Sequence, residues 1–178
     1  SQWKEIIKKA NSTKEVWLDI FDEYGIQILS QNLEKIKGLK LQSSILSNQN
    51  VIRKLKEVDL HDKSLIINVS GYTLKKIKSL VSFYKKALNI KELLIEIGFQ
   101  DYPTSSRDAG ISKIEILKKA LNNRIVFADH SDGKSEDAIE LPLIAQNLGA
   151  DLIEKHIMHS SLKTKYDYQS SITVDKIN

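Results

Sequence analysis

The sequence predicts a parallel α/β fold built from repeated strand–helix units. Short apolar runs rich in β-branched residues begin near residues 16, 39, 65, 93, 125 and 152, and stretches with helical spacing of apolar residues lie between them. The recurrence of roughly 23 to 31 residues is the length of one strand plus one helix. Because each crossover is right-handed, six such units leave two architectures open: an open doubly wound sheet or a (β/α) barrel.

The composition predicts a globular protein without disulfides. The 178 residues are 41% hydrophobic, which suffices for one domain over residues 1–178. The absence of cysteine excludes disulfides, thiolate metal ligands and cysteine nucleophiles. No apolar run reaches the roughly 18 residues of a membrane span, and the first residues are unlike a signal peptide. We therefore expect a soluble, cytoplasmic protein with no membrane partner.

The net charge of +4 does not indicate a nucleic-acid-binding protein. Lysines are interleaved with isoleucine and leucine at helical spacing, as in Leu74–Leu80, which is typical of a solvated helix face. A surface that binds nucleic acid clusters its basic residues with aromatic residues that stack on bases. We expect no nucleic-acid partner.

The chain begins with a helix, which the spacing of apolar residues predicts over Trp3–Ala10. The β-rich run Val16–Ile20 predicts the first strand, and Gly38–Gln42 predicts the second. After the first strand the chain reads Asp22–Gly25, which is not a glycine-rich phosphate-binding turn. This disfavours the open sheets that bind nucleotides.

Two further units follow in the middle of the chain. Either Asn48 or Asn50 is expected to cap a helix that runs through Val58. The run Ser64–Val69 is almost continuously apolar, which predicts a strand buried on both faces. Thr73 is expected to cap the helix after that strand.

The last units repeat the pattern. Leu93–Ile97 and Ile125–Phe127 predict strands, and a further strand begins at Leu152. Pro142 predicts the start of the helix before that last strand, and Gly149 predicts its end. The helix between the first two of these strands is expected to be lined by Ile114, Leu117 and Leu121.

Each of the last two strands ends on a histidine. Because side chains alternate along a strand, Ala128 and His130 share one face, and Glu154 and His156 share one face with Lys155 opposite. Two imidazoles can therefore converge across neighbouring parallel strands. The alternative is that each histidine is only a satisfied polar residue at a strand end.

Short motifs at the predicted strand ends carry a resemblance to a known family. The motifs are Ile20–Asp22, Lys40–Ser43, Asp101–Thr104, Asp108–Ala109, Ala128–His130, Gly149–His156 and Asp167–Ser171. In order and spacing they resemble the sialic acid synthase (N-acetylneuraminate synthase) family. The segments Ala128–His130 and Gly149–His156, which are similar to Ser-Asp-His and Gly-Ala-x-x-Ile-Glu-Lys-His, are the most specific.

The resemblance implies a (β/α)8 TIM barrel of which about six βα units, the third to the eighth, are present over residues 1–178. It implies a transferase of carbohydrate biosynthesis that condenses phosphoenolpyruvate with an N-acetylated aldose of the N-acetylmannosamine type and releases phosphate. His130 and His156 would then ligate a divalent metal, manganese or magnesium, that polarises the sugar aldehyde. A homodimer is also expected.

The resemblance further implies roles for other residues. Lys40 would offer a cation to the carboxylate or phosphate of the donor, and Glu154 would join Lys40 and the two histidines as catalytic residues. An alternative for Lys40 is an ion pair with a strand-end carboxylate such as Glu154. The residues expected to bind substrate are Ser43, Asn68, Asp101, Tyr102, Thr104 and Asp167. His61 and His159 are expected to take no part.

Several positions depart from the family pattern. Asp19, Asn68 and Ala128 stand where the family places small hydroxyl residues around the phosphate, and Ile45 stands in place of a glutamate. A carboxylate beside a phosphate is repulsive in a pocket of low dielectric constant. Two alternatives stay open: a metal-dependent barrel aldolase or lyase with another donor, and a non-catalytic barrel fragment that binds sugar or protein.

The resemblance begins at the helix before the family's third strand. We therefore expect the chain to be part of a longer barrel, or to be completed by another subunit, because six strands cannot close an eight-stranded barrel. By itself the chain is expected to be catalytically dead or very slow, since misplacing reacting groups by about 1 Å can cost roughly a hundredfold in rate.

Overall fold

The computed structural model describes residues 2–161 and 164–177. The chain forms two compact units, Ser1–Leu94 and Ile95–Asn178. Among the described residues, no helix is both long enough and apolar enough to cross a membrane.

In the first unit, strands alternate with helices. The elements are α1 (Gln2–Asn11), β1 (Val16–Ile20), α2 (Glu23–Gln31), β2 (Ile36–Leu41), α3 (Gln49–Leu55), β3 (Ser64–Asn68) and α4 (Leu74–Ala87). β1 pairs in parallel with β2, and β2 with β3. All five residues of β3 are buried, which accounts for its apolar sequence. Asp22, Asn48 and Thr73 cap α2, α3 and α4 by accepting hydrogen bonds from first-turn amides.

The second unit continues the alternation after β4 (Glu92–Ile97), which contains the boundary between the units. Its elements are α5 (Lys113–Ala120), β5 (Ile125–Asp129), α6 (Asp137–Asn147), β6 (Leu152–Lys155), β7 (Ile157–Met158) and β8 (Ile172–Thr173). The pairings β4–β5 and β5–β6 are parallel, and β7 and β8 form a separate two-stranded parallel sheet. Every residue of β5 is buried.

The strand order in the main sheet is β1-β2-β3-β4-β5-β6, the same as the order along the chain. In a doubly wound sheet the order reverses at a switch point. A strictly sequential order is that of successive units of a (β/α) barrel. The prediction of a partial TIM barrel is therefore confirmed, and the doubly wound alternative is excluded.

Three details of the helices differ from the prediction. α6 begins at Asp137, so Pro142 lies inside the helix and not at its start; there proline removes the amide that would donate to the carbonyl of Ala138, and its ring crowds that carbonyl. α3 ends at Leu55, and Val58 lies in the turn that follows. For the helix between the first two strands, which forms α2, the prediction named no residues.

Asp151, in the loop before β6, ties the start of β5 to α5. Its Oδ2 accepts hydrogen bonds from the Ile125 amide at 2.7 Å and from Lys118 Nζ at 2.9 Å. Burial raises the pKa of the Asp151 carboxyl, but the Ile125 amide and then Lys118 outweigh burial and hold this pKa below its usual value. A carboxylate whose pKa falls on folding stabilises the folded state above its unfolded pKa.

Asp151→Asn is expected to lower the free energy of unfolding at pH 7 by about 1–2 kcal/mol, since the ion pair with Lys118 is partly exposed and contributes less than the amide hydrogen bond. The difference between wild type and variant should begin to shrink as the pH falls below roughly 3.9, the unfolded pKa, and should be lost as the pH falls through the lowered pKa of the folded carboxyl. Urea unfolding at pH 7 and at a series of pH values down to 3 measures it. Asp108→Asn, at an exposed carboxylate, is the control; an Asp151 effect that does not decrease at all between pH 7 and pH 3 would contradict the assignment.

Candidate active site

His130 follows the last residue of β5 and is buried, with 3% of its surface exposed. Its Nδ1 lies 2.8 Å from the carbonyl oxygen of Phe99. Its own carbonyl oxygen accepts hydrogen bonds from the Thr104 amide at 2.8 Å and from Ser170 Oγ at 2.7 Å. The backbone and the ring of His130 are therefore both held in place.

His156 follows β6 and lies beside His130. β5 and β6 are parallel, with Asp129 opposite Lys155 in the register, and each histidine is the first residue after its strand. The two ring centroids are 5.3 Å apart and the ring planes are inclined by 53°. His156 Nδ1 is 3.8 Å from Oδ2 of Asp167. Neighbouring parallel strands thus bring two imidazoles together at their carboxyl ends.

The loop after β4 places an aromatic ring against both histidines. The Tyr102 ring centroid lies 4.7 Å from that of His130 and 5.7 Å from that of His156, and its peptide bond to Pro103 is cis. The hydroxyl of Thr104 donates within the same loop, 2.7 Å from the Asp101 carbonyl oxygen. The single hydroxyl hydrogen of Thr104 is thus used by the protein itself.

The second unit contains three other predicted site residues, which are Glu154, Asp101 and Asp167. Glu154 is in β6, opposite Ala128 in the register. Oδ1 of Asp101 accepts a hydrogen bond from the next amide, that of Tyr102, at 3.0 Å. Asp167 has a left-handed backbone, with φ of 56°, and its carbonyl oxygen accepts a hydrogen bond from Ser171 Oγ at 2.8 Å.

Lys40, Ser43 and Asn68 belong to the first unit. Lys40 is the penultimate residue of β2 and is 5% exposed. Ser43 begins the 3-10 turn after that strand, and its carbonyl oxygen accepts a hydrogen bond from the Tyr72 hydroxyl at 3.1 Å. Asn68 ends β3, is fully buried, and accepts a hydrogen bond from the Ser70 amide at 3.0 Å. All three therefore lie at or near the carboxyl end of a strand, where barrel enzymes place their active-site residues.

Asp19, one of the departures from the family pattern, is hydrogen-bonded to the residue that follows β2. Oδ2 of Asp19 accepts a hydrogen bond from Gln42 Nε2 at 2.7 Å, and Asp19 is opposite Lys40 in the register of β1 and β2. This places a negative charge on the strand residue that neighbours the predicted cation.

The histidine pair can offer nitrogen ligands to a divalent cation. A carbonyl oxygen only accepts hydrogen bonds, so the contact with Phe99 places the proton of His130 on Nδ1 and the ring lone pair on Nε2. Within residues 2–161 and 164–177, no three histidine, aspartate or glutamate side chains form a metal-binding cluster. The described residues therefore supply an imidazole pair, and the other ligand positions would fall to water and substrate.

The sequence interpretation did not identify the ion pair between Asp129 and Lys155, whose charged atoms are 2.7 Å apart. It also missed Ser170, which holds the carbonyl of His130. A signal for the ion pair was present: opposite charges stand one residue before each histidine, in strands that are otherwise mainly apolar. For Ser170 no such signal exists, because its partner is a backbone atom.

Comparison with known proteins gives a family and a fold. A model of the NeuB family matches residues 2–178. Among curated proteins there is no match. Solved structures with the same fold include N-acetylneuraminic acid (sialic acid) synthetase from Leptospira borgpetersenii, at 24% identity and a TM-score of 0.77, with 96% of this chain and 57% of that chain covered.

Two other solved structures give a similar result. One is described as spore coat polysaccharide biosynthesis protein E from Chromobacterium violaceum, at 18% identity and a TM-score of 0.79, with coverage of 99% and 49%. The other is phospho-2-dehydro-3-deoxyheptonate aldolase (DAHP synthase) from Thermotoga maritima, at 16% identity and a TM-score of 0.78, with coverage of 98% and 51%. The chain spans about half the length of each of these solved chains.

Proposed function

Because the chain belongs to the NeuB family, we propose that it forms part of the catalytic barrel of a synthase that condenses phosphoenolpyruvate with an N-acetylated aldose, of the N-acetylmannosamine type, and releases phosphate. The observation that carries the proposal is the convergence of His130 and His156, with Tyr102 against both rings. It lies at the carboxyl ends of adjacent parallel strands, where barrel enzymes build their active sites.

The two histidines would hold a divalent cation. A bound cation supplies a Lewis acid that polarises the carbonyl of the aldose. His130 is prepared for this role because Phe99 fixes its tautomer and ring orientation. Of manganese and magnesium, the imidazole pair favours manganese, since magnesium prefers an all-oxygen octahedron.

The other residues of the second unit would bind and orient the sugar. Asp167, 3.8 Å from His156, offers carboxylate oxygens that accept hydrogen bonds from sugar hydroxyls. Asp101 offers a second carboxylate on the loop that carries Tyr102. The ring of Tyr102 lies against both histidines and would limit the access of water, which would strengthen electrostatic interactions in the site. The Thr104 hydroxyl stabilises this loop through its hydrogen bond to the Asp101 carbonyl oxygen. Glu154 would supply a catalytic carboxylate.

The first unit would supply contacts to the donor. The buried ammonium of Lys40 is suited to the carboxylate or phosphate of phosphoenolpyruvate, because a charge-assisted hydrogen bond is about twice as strong as a neutral one. Ser43 and Asn68 add polar groups at or near the ends of the neighbouring strands. A homodimer remains part of the proposal.

The hydrogen bond between Asp19 and Gln42 favours a second candidate function. A carboxylate opposite Lys40 opposes a phosphate dianion and weakens the net positive charge that would bind it. This supports a metal-dependent aldolase or lyase whose donor is less negatively charged, such as a keto acid.

A phosphate-release assay with phosphoenolpyruvate, N-acetylmannosamine and Mn²⁺ tests the proposal. We expect release that requires both substrates and the cation, at a rate below about 1 per second, the low end for ordinary enzymes, because Asp19 opposes donor binding. Omission of the aldose and the variant His130→Ala are the controls. Consumption of pyruvate with the aldose, without use of phosphoenolpyruvate, would instead establish the second candidate.

A further inference from the structure

A buried ion pair joins the carboxyl ends of β5 and β6. Oδ2 of Asp129 lies 2.7 Å from Nζ of Lys155, and the Asp129 side chain is fully buried while that of Lys155 is 10% exposed. The two residues are direct partners in the register of the parallel strands. Since each is one residue before a histidine, their side chains leave the strands on the face opposite to the imidazoles.

Asp129 also fixes the backbone beyond His130. Its Oδ1 accepts a hydrogen bond from the Ser131 amide at 3.0 Å, and its Oδ2 accepts one from Ser131 Oγ at 3.0 Å. Nζ of Lys155 is also 3.4 Å from Ser131 Oγ. The peptide units on both sides of His130 are thus tied to the residue that precedes His156.

Strand pairing alone does not account for this arrangement. At the other end of the same two strands, Asp151 before β6 is already joined to Ile125 of β5 by hydrogen bonds, and it forms a partly exposed ion pair with Lys118 of α5. A buried ion pair contributes little stability compared with apolar residues of the same volume, because both charges lose their water. What it does supply is a fixed distance and direction between the groups that it joins.

We infer that Asp129 and Lys155 are positioning residues, whose ion pair sets the separation and orientation of the His130 and His156 rings. The pair acts through the backbone next to each histidine. The inference depends on the proposed function in one respect only, which is that the two imidazole rings bind the metal. The separation of the rings itself can be measured without metal.

The test compares Lys155→Met with Lys118→Met, which removes the ion pair between α5 and Asp151 near the opposite end of the same strands. Mn²⁺ binding is measured by electron paramagnetic resonance of the unbound ion, and ring-to-ring nuclear Overhauser effects among Tyr102, His130 and His156 are measured without metal. Lys155→Met should weaken Mn²⁺ binding by about tenfold or more, as loss of outer-shell partners does, and should remove the ring contacts. Lys118→Met should leave both within twofold, and Lys155→Arg should restore most of the affinity.

Two results would overturn the inference. One is that Lys155→Met keeps both the Mn²⁺ affinity and the ring contacts; the other is that Lys118→Met loses them equally, which would indicate general destabilisation. If Lys155→Met does not fold by circular dichroism, the neutral pair Asp129→Asn with Lys155→Gln is judged by the same criteria. If the wild type binds no Mn²⁺, the metal part of the proposed function has failed, and the metal-free ring contacts alone decide the positioning role.

Discussion

Gly133→Ala is expected to destabilise the second unit by about 3 kcal/mol, the upper end for overpacking a tight site. Gly133 is buried in the turn after β5, and its amide donates to the Gln169 carbonyl oxygen at 2.7 Å. A Cβ at this position would collide with the carbonyl oxygen of Ser171. Because the obstacle is backbone, no side-chain rotation relieves it, and the 167–173 segment must move away from the turn.

That movement would reach both histidines. The segment donates through Ser170 Oγ to the carbonyl of His130 and through the Ile172 amide to the carbonyl of His156. Urea unfolding measures the loss of global stability, and hydrogen exchange at the Ile172 amide measures the local loss of stability in the 167–173 segment. Exchange there should accelerate more than the loss of global stability explains.

Gly25→Ala is the matched control. Gly25 lies in α2, and an added Cβ would meet only ordinary contacts, the nearest at 3.4 Å from the Ile20 side chain. Alanine is the better helix former by about 1 kcal/mol, so this variant should be neutral or slightly stabilising. Equal destabilisation by the two substitutions would contradict the argument from the Ser171 collision.

The strands could be predicted because a strand that is buried on both faces has a nearly continuous apolar sequence. β3 and β5 are buried throughout and consist mainly of apolar residues, and the interval between strands indicated parallel pairing. The bounds of α2 were not predicted because Gly25 and polar residues interrupt its apolar pattern, although Ile26 and Leu29 are buried. There the packing of a short stripe outweighs a weak intrinsic propensity.

The position of the histidines followed from strand alternation, but the contacts that hold them did not. One partner of the His130 ring is the backbone carbonyl of Phe99, and one of the two donors to the His130 carbonyl is Ser170, 40 residues further along the chain. Such contacts depend on loop conformations, which no periodic pattern in the sequence predicts. The proximity of Asp167 to His156 is of the same kind.

His130→Ala and His156→Ala are each expected to weaken Mn²⁺ binding by roughly 100-fold or more, a larger effect than the 10–100-fold typical of outer-shell partners. Each variant removes one of the two imidazoles whose rings lie 5.3 Å apart, and a single imidazole is a poor site by itself. Electron paramagnetic resonance titration with Mn²⁺ measures the affinity of both variants and of the wild type.

The same titration decides whether the histidines are ligands or only polar residues that end two strands. His61→Ala and His159→Ala are the controls, because both side chains are exposed and their Nδ1 atoms contact Asp59 and Ser161 respectively. They should change the affinity by less than twofold. His156 is half-buried, with its side chain 28% exposed, so its replacement should disturb folding less than that of buried His130. A His156→Ala protein that is folded and binds Mn²⁺ as the wild type does would leave the histidine pair without a metal-binding role.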